Sequence, residues 1–315
     1  MDYKYRALIT APPILPKILN YKNMFNKKSI EIVVPSYKVV ECLHENELIE
    51  LLKDIDGILC GDDKITEKVL KLAKKLKVIS KWGTGIDSID NNAAKKLGIK
   101  VFRVKDVFSD PVSDTVLAYI LLYARKIIEK NQLVRNNEWE KTESYALKEK
   151  SLGVIGVGNI GKTITTKAQA LGMTVFGNDI RKISRDFVNR TGIKMVRLNE
   201  LLKYTDFVTL HCDLNKSSYH LIGKDELKIM KAESVLINTS RGEVIDQPAL
   251  EEALKKNEIS GAALDVFEVE PLPKSNILRK MKNVYLSPHN SNASPQVFDK
   301  VDKLSIENLF NGLDV

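Results

Sequence analysis

Cysteine is scarce in this chain of 315 residues. Cys42, Cys60 and Cys212 are the three present, with no close pair, which argues against a disulfide framework and a metal site and for buried, reduced thiols. Long apolar runs are also missing. The longest uncharged one, Val116 to Ala124, falls far short of the ~18 residues that a membrane span needs. The start, Met1-Asp2-Tyr3-Lys4-Tyr5-Arg6, lacks the apolar stretch and small-residue cleavage site of a secretory signal, so a cytoplasmic location with no membrane partner is expected. There is no internal repeat and no low-complexity segment. The formal charge of +8 reflects 49 Lys and Arg against 41 Asp and Glu. Its lysines are spread in pairs such as Lys74-Lys75 and Lys95-Lys96 and read as solvated helix faces. No nucleic-acid partner is expected, because neither a basic stripe nor a recognisable binding motif accompanies the charge.

What is present is a globular composition, 43% hydrophobic and 29% charged, long enough for about two domains at roughly 150 residues each. Short apolar runs alternate with amphipathic stretches throughout, the pattern of βα units and parallel sheets. Arg6 to Thr10, Ile30 to Val34, Gly57 to Cys60, Val78 to Lys81 and Val101 to Val104 read as strands, and a first α/β domain ends near residue 104. From Asp110 the apolar residues Val112, Val116, Tyr119, Ile120, Tyr123 and Ile127 recur at helical spacing, predicting one long helix packed on a neighbour. Six further strands follow, at Leu152 to Ile155, Thr174 to Phe176, Phe207 to Leu210, Val235 to Ile237, Ala262 to Leu264 and Val284 to Leu286. They outline a doubly wound sheet. The last helical segment, Ser294 to Asn311, is expected to fold back onto the first domain.

The most informative motif lies at the start of the second set. Leu152-Gly153-Val154-Ile155-Gly156-Val157-Gly158-Asn159-Ile160-Gly161 puts Gly-x-Gly-x-x-Gly directly after an apolar strand and before a helix, the context of a dinucleotide pyrophosphate at a helix N-terminus. The next strand ends in Asp179, close to the expected distance of ~20 residues for an acid that binds a ribose. Asp179 favours NAD over NADP, and Arg181 two residues on works against that preference.

In a parallel sheet, ligands gather outside the carboxyl ends of strands, so polar residues that follow apolar runs are candidates for chemistry. Three runs lead into such residues: Asn238-Thr239-Ser240-Arg241-Gly242; Asp265 followed by Val266-Phe267-Glu268-Val269-Glu270-Pro271; and Ser287-Pro288-His289. His289 is the candidate proton donor to a forming alkoxide. Arg241 has the planar fork to grip a carboxylate or polarise a keto oxygen. His211, after its own apolar run, is the rival base.

With these blocks in view, the chain resembles the D-isomer-specific 2-hydroxyacid dehydrogenases, the family that includes D-3-phosphoglycerate dehydrogenase. The likeness runs over nearly the whole length and rests on five ordered blocks: Lys81-Trp82-Gly83-Thr84-Gly85-Ile86-Asp87, the glycine loop, Asn238 to Gly242, Leu264-Asp265-Val266-Phe267 with Glu270-Pro271, and Pro288-His289. The resemblance implies two doubly wound parallel-sheet α/β domains with a cleft between them. One is a flavodoxin-like substrate domain (1–104 and 291–315), the other an NAD-binding Rossmann domain (105–290). It implies a homodimer and NAD-dependent interconversion of a D-2-hydroxy acid and its 2-keto acid. The catalytic set is Arg241, Glu270 and His289, with Glu270 holding the imidazole and stabilising its charged form. The cofactor would be met by Thr84, Gly156, Gly158, Asn159, Ile160, Gly161, Asp179, Cys212, Thr239, Ser240, Arg241, Asp265, His289 and Asn292. Substrate would meet Lys81, Gly83, Thr84, Gly85 and Arg241, the amides of Gly83 to Gly85 cradling its carboxylate. An alternative of another class is a non-catalytic NAD-sensing, corepressor-like scaffold of the same fold.

The sequence departs from the family pattern in places. After the histidine stands Asn290-Ser291-Asn292-Ala293-Ser294 where apolar and small residues are usual, and Asp213 replaces a usual proline. Where phosphoglycerate enzymes commonly carry an arginine, this chain has Cys60-Gly61-Asp62-Asp63, two carboxylates that would repel a phosphate. Lys81 is either a solvent-facing strand end or the cation for an acidic group. With Val315 as the last residue of this sequence, the regulatory extension of the larger phosphoglycerate enzymes is not expected.

Overall fold

The computed structural model describes residues 3–315; Met1 and Asp2, the start of the segment read above for a secretory signal, lie outside it. The chain forms two compact units, one running to Val107 and resumed by Ser294–Val315, the other spanning Phe108–Ala293. Among the described residues no helix is long and apolar enough to cross a membrane.

The first unit is built on β1 (Tyr5–Ile9), β2 (Ile30–Val33), β3 (Gly57–Cys60), β4 (Val78–Lys81) and β5 (Lys100–Arg103), in the order β2-β1-β3-β4-β5 and parallel throughout. This is the flavodoxin-like order. β3 and β4 are buried along their whole length, which is why they read as unbroken apolar runs. The C-terminal helix Pro295–Gly312 lies across this sheet. A Cβ added at Gly57 would come within 2.8 Å of Leu309, and one at Gly312 within 2.1 Å of Val78. The same helix carries Asp302, fully buried, whose carboxylate accepts from Trp82 Nε1 (2.7 Å) and pairs with Lys17 Nζ (2.6 Å). Removing either donor would leave part of a buried charge uncompensated.

The second unit holds β6 (Ser151–Ile155), β7 (Thr174–Asn178), β8 (Lys194–Met195), β9 (Phe207–Leu210), β10 (Val235–Asn238), β11 (Gly261–Leu264) and β12 (Val284–Leu286). They are parallel in the order β12-β11-β10-β9-β6-β7-β8, so the winding reverses at β6, the place where open α/β sheets bind ligands. β8 has no apolar signature because both of its residues are exposed. The long helix expected from Asp110 is two helices, Ser109–Arg125 and Ile127–Arg135, because Lys126 adopts a left-handed conformation (φ 49°) that caps the first. Its buried face, with Val116 and Ile120, packs on the helix Asn159–Ala170 that follows the glycine loop.

Candidate active site

The glycine loop leaves β6 with Gly156 at φ +88°, and a Cβ there would meet the His211 and Cys212 backbone at 2.7 Å. Only glycine allows the exits of β6 and β9 to touch. A Cβ at Gly161 would lie 2.1 Å from the Gly156 carbonyl, so the helix carrying Asn159 and Ile160 starts hard against the loop. A Cβ at Gly158 would meet nothing nearer than Arg181 at 3.5 Å, leaving its backbone approachable. Asp179 accepts from the Val157 amide (2.8 Å) and from the amide (2.7 Å) and Nε (3.3 Å) of Arg181. Burial opposes its ionisation, but these hydrogen bonds outweigh burial and hold its carboxyl below the usual range. Arg181, the expected opponent of Asp179, is folded onto it. Just past β10, the Thr239 hydroxyl is buried with no hydrogen-bond partner among the described residues. An open glycine cradle at a helix N-terminus, an ionised acid beyond it and an orphaned buried hydroxyl fit a dinucleotide.

β10 ends in Asn238, whose side chain organises the turn that presents the basic fork. Its amide nitrogen donates to the Arg241 carbonyl (2.7 Å), and its oxygen accepts from the Ser240 amide (3.0 Å) and hydroxyl (2.8 Å). Arg241 also donates to the Ser240 carbonyl (2.9 Å). Gly242 presses this turn onto the next strand's exit: a Cβ there would fall 1.9 Å from the Phe267 carbonyl carbon. The arginine turn and the segment carrying Glu270 are thereby fixed to one another.

Glu270 is held at both oxygens. One accepts from the Phe267 amide (2.8 Å), the other from His289 Nδ1 (2.8 Å). His289 follows β12 in a left-handed conformation (φ 49°), and its amide donates to the Asp265 carbonyl (2.8 Å). Asp265, fully buried, uses both carboxylate oxygens on the turn after the histidine, accepting from the Asn290 (2.8 Å) and Ser291 (2.9 Å) amides. The expected role of Asp265 towards the cofactor therefore depends on its remaining lone pairs. The unusual polar stretch is part of this arrangement: Ser291 is buried, and its carbonyl also accepts from the Thr115 hydroxyl (3.1 Å), while Asn292 stays half-buried.

His211, the rival base, is half-buried as a residue, yet its Nδ1 is enclosed without a partner and its Nε2 meets Thr209 Oγ1 at 3.0 Å. Burial pushes its pKa down to about 3, so the ring is neutral at ordinary pH and carries no proton to give as an imidazolium. Burial likewise pushes the Cys212 thiol up to about 11, so it contributes as a thiol and not as a nucleophile. In the first unit, Lys81, Gly83, Thr84 and Gly85 form one stretch at the end of β4. The Thr84 hydroxyl donates to the Val104 carbonyl (2.9 Å), tying that stretch to the residue after β5. Lys81 is 2% exposed, which removes its reading as a lysine in solvent. The reading of the sequence did not single out Asn238 as an organiser or Thr115 as a prop. Asn238 stands at a strand end and had a signal; Thr115, on a helix face, had none.

Two parallel α/β units, one with a glycine loop at its switch point and a His–Glu pair beside an arginine turn, define a nucleotide-dependent dehydrogenase. The chain belongs to the D-isomer specific 2-hydroxyacid dehydrogenase family: residues 117–291 match its NAD binding domain and residues 18–189 its catalytic domain. A glyoxylate reductase of Thermococcus litoralis is 38% identical over 83% of this chain and 82% of its own length. A D-3-phosphoglycerate dehydrogenase of Methanocaldococcus jannaschii is also 38% identical over 81% of this chain, which spans about half (49%) of that relative. The crystal structure of a D-lactate dehydrogenase from Aquifex aeolicus, complexed with NAD and lactic acid, superposes with a TM-score of 0.84 at 27% identity, covering 96% of this chain and 93% of that one. The protein is an NAD-dependent oxidoreductase that interconverts 2-hydroxy and 2-keto acids. These relatives are enzymes and lend the scaffold alternative no support.

Proposed function

We propose that the chain reduces a short, unphosphorylated 2-keto acid such as glyoxylate, with His289 as proton donor, Glu270 as its anchor and Arg241 on the carboxylate and keto oxygen. The observation that carries this reading is the 2.8 Å contact from His289 Nδ1 to a Glu270 carboxylate whose other oxygen is already fixed. NAD, when bound, supplies or takes the hydride. With Nδ1 committed to Glu270, the ring's proton moves at Nε2, and the carboxylate stabilises the imidazolium that exists before transfer in reduction and after it in oxidation. Arg241 meets a planar carboxylate with two parallel donors and stabilises charge gathering on the keto oxygen. The amides of Gly83 to Gly85, in the unit assigned to substrate, receive the carboxylate.

A second copy completes the assembly in this reading. The helix Ile127–Arg135 has no buried residue, exposes Ile127, Ile128 and Val134, and is followed by Trp139 at 85% exposure, an apolar surface suited to a twofold contact. The cytoplasm is its place, since that compartment keeps three unpaired cysteines reduced. The test is NADH oxidation with a panel of glyoxylate, hydroxypyruvate, pyruvate and sugar-derived 2-keto acids. Turnover of a short unphosphorylated acid is expected; NADH binding without turnover of any member would overturn the reading in favour of a scaffold.

A further inference from the structure

The loop after β3 carries two neighbouring carboxylates that the fold puts to different uses. Asp63 is fully buried and accepts from the Thr10 hydroxyl (2.5 Å), the Leu43 amide (2.7 Å) and the Gly61 amide (3.1 Å). Its carboxyl oxygens are spent on holding the loop against β1 and the segment before residue 44, so they are not presented to a ligand. Asp62 remains partly exposed at 32% of its side chain, and its Oδ1 lies 3.0 Å from Lys81 Nζ. β3 and β4 are neighbours with Cys60 opposite Lys81, so the pair stands at the carboxyl ends of two adjacent parallel strands, the edge where such sheets bind ligands. The ammonium is also only 4.0 Å from where a Cβ on Gly83 would stand, at the first residue of the proposed carboxylate cradle.

We propose that the Asp62–Lys81 pair is a charge filter, a specificity determinant that admits 2-keto acids with a single acidic group and turns away those with a distal carboxylate or phosphate. The inference rests on the reading that Gly83 to Gly85 receive the substrate. Lys81 is the cation this strand end offers to a second anion, and with 2% exposure it has little water around it; Asp62 is the carboxylate in direct contact with it, and the buried Asp63 also lies within its electrostatic reach. A second acidic group arriving there meets a neutral pair whose outer member is the carboxylate. It would have to displace Asp62 from the ammonium and stand as a second anion against that carboxylate. A one-acid substrate makes no such demand. The filter chooses between the chemistries of two equally identical relatives: the pair suits a glyoxylate-like substrate and not a phosphorylated one.

The experiment compares kcat/KM with NADH for glyoxylate and hydroxypyruvate against oxaloacetate and 3-phosphohydroxypyruvate, in wild type, Asp62→Asn, Asp62→Ser and Asp62→Asn/Lys81→Gln. Asparagine keeps a hydrogen-bonding oxygen for Lys81 while removing the charge, and serine serves if the amide variant does not fold, as judged by circular dichroism and thermal melting. The single variants should raise the ratio of two-acid to one-acid activity by about 10- to 100-fold, the scale of one additional charge-assisted hydrogen bond to the substrate. The double variant should lose that rise, since the liberated cation is gone. An unmoved ratio with glyoxylate turnover intact would overturn the filter alone. A rise that survives in the double variant would overturn the pair by assigning selectivity to Asp62 without Lys81. Absence of glyoxylate and hydroxypyruvate turnover in wild type would instead bring down the underlying reading, and the filter with it.

Discussion

Two histidine–glutamate pairs lie in the second unit. His289 meets Glu270 at 2.8 Å and His220 meets Glu268 at 2.9 Å, and both histidines are left-handed with φ 49°. Neither pairing distance nor backbone strain tells them apart. The difference lies in which atoms are committed. His220 uses Nε2, its amide donates to the Glu243 carbonyl (2.8 Å), its ring stacks on Tyr219 (centroids 4.0 Å apart), and the oxygen of Glu268 that it meets also accepts from the Gln247 amide (3.1 Å). That pair ties three loops together. His289 uses Nδ1, stands just past the carboxyl end of β12, and meets a carboxylate whose second oxygen is pinned by the Phe267 amide. In the function proposed above it is an orienting contact with the proton chemistry at the other nitrogen, and the lesson is that a His–Glu pair is read by nitrogen and strand end.

The sharpest way to break the comparison is deletion of the ring. His289→Ala should lower kcat by about 10²- to 10⁴-fold, the range for loss of a general acid–base group, with NADH affinity by fluorescence titration nearly unchanged. Next in size is Glu270→Gln, which removes a charge and keeps the shape. Reduction needs a protonated His289, so its kcat/KM should begin to fall at lower pH than in wild type, while oxidation, needing the neutral ring, should become active at lower pH. Both limbs should move down together by about one pH unit, the scale of one nearby opposite charge. Profiles that stay in place would uncouple Glu270 from the catalytic proton.

Much of this was legible because parallel sheets write their binding edge into the chain: an apolar run, then polar residues. Glycines 156, 158 and 161, Asp179, Arg241 and His289 were singled out from such places, and the structure puts Gly156 in a left-handed turn, Asp179 just past β7, Arg241 just past β10 and His289 just past β12. What the chain could not declare is which partner a polar residue chooses. Asp62 and Asp63 are adjacent and alike in sequence, yet one faces Lys81 and the other is enclosed by Thr10 and Leu43, groups brought in by separate elements. Asp265 looked like a ligand contact, and the fold also gives it the amides of Asn290 and Ser291. The break at Lys126 was hidden because the apolar spacing continues through it to Ile127, and only a left-handed residue interrupts the helix.

His211 sharpens the comparison from a third side, as a histidine with no acid at all. Its folded ring takes a proton only near pH 3, whereas an unfolded histidine does so near the ordinary value of 6.5. Above about pH 6.5 neither state binds the proton and stability is unaffected. As the pH falls below that, the unfolded chain takes up protons that the folded one refuses, and stability is lost by up to about 1.4 kcal/mol per pH unit. His211→Asn should therefore flatten the fall in stability between pH 6.5 and 5 in urea melts. An unchanged slope would show that the ring is hydrated and titrates normally.

The smallest effect is expected at the other pair. His220 and Glu268 have side chains 32% and 24% exposed, so solvent screens their attraction, and such pairs contribute about 0–1 kcal/mol. His220→Asn removes one of the two hydrogen bonds at that Glu268 oxygen, and the Gln247 amide still holds the other. The expected outcome is a melting temperature lowered by a few degrees at most, kcat within about threefold of wild type, an amount well under 1.4 kcal/mol, and a pH profile that does not move. The unmoved profile is the decisive reading, since a structural tie changes amplitude, whereas a group that exchanges the reacting proton changes the pH at which each limb turns. If His220→Asn shifted the limbs as Glu270→Gln is expected to, the two pairs would be coupled, and the division drawn between the orienting pair and the structural one would fail.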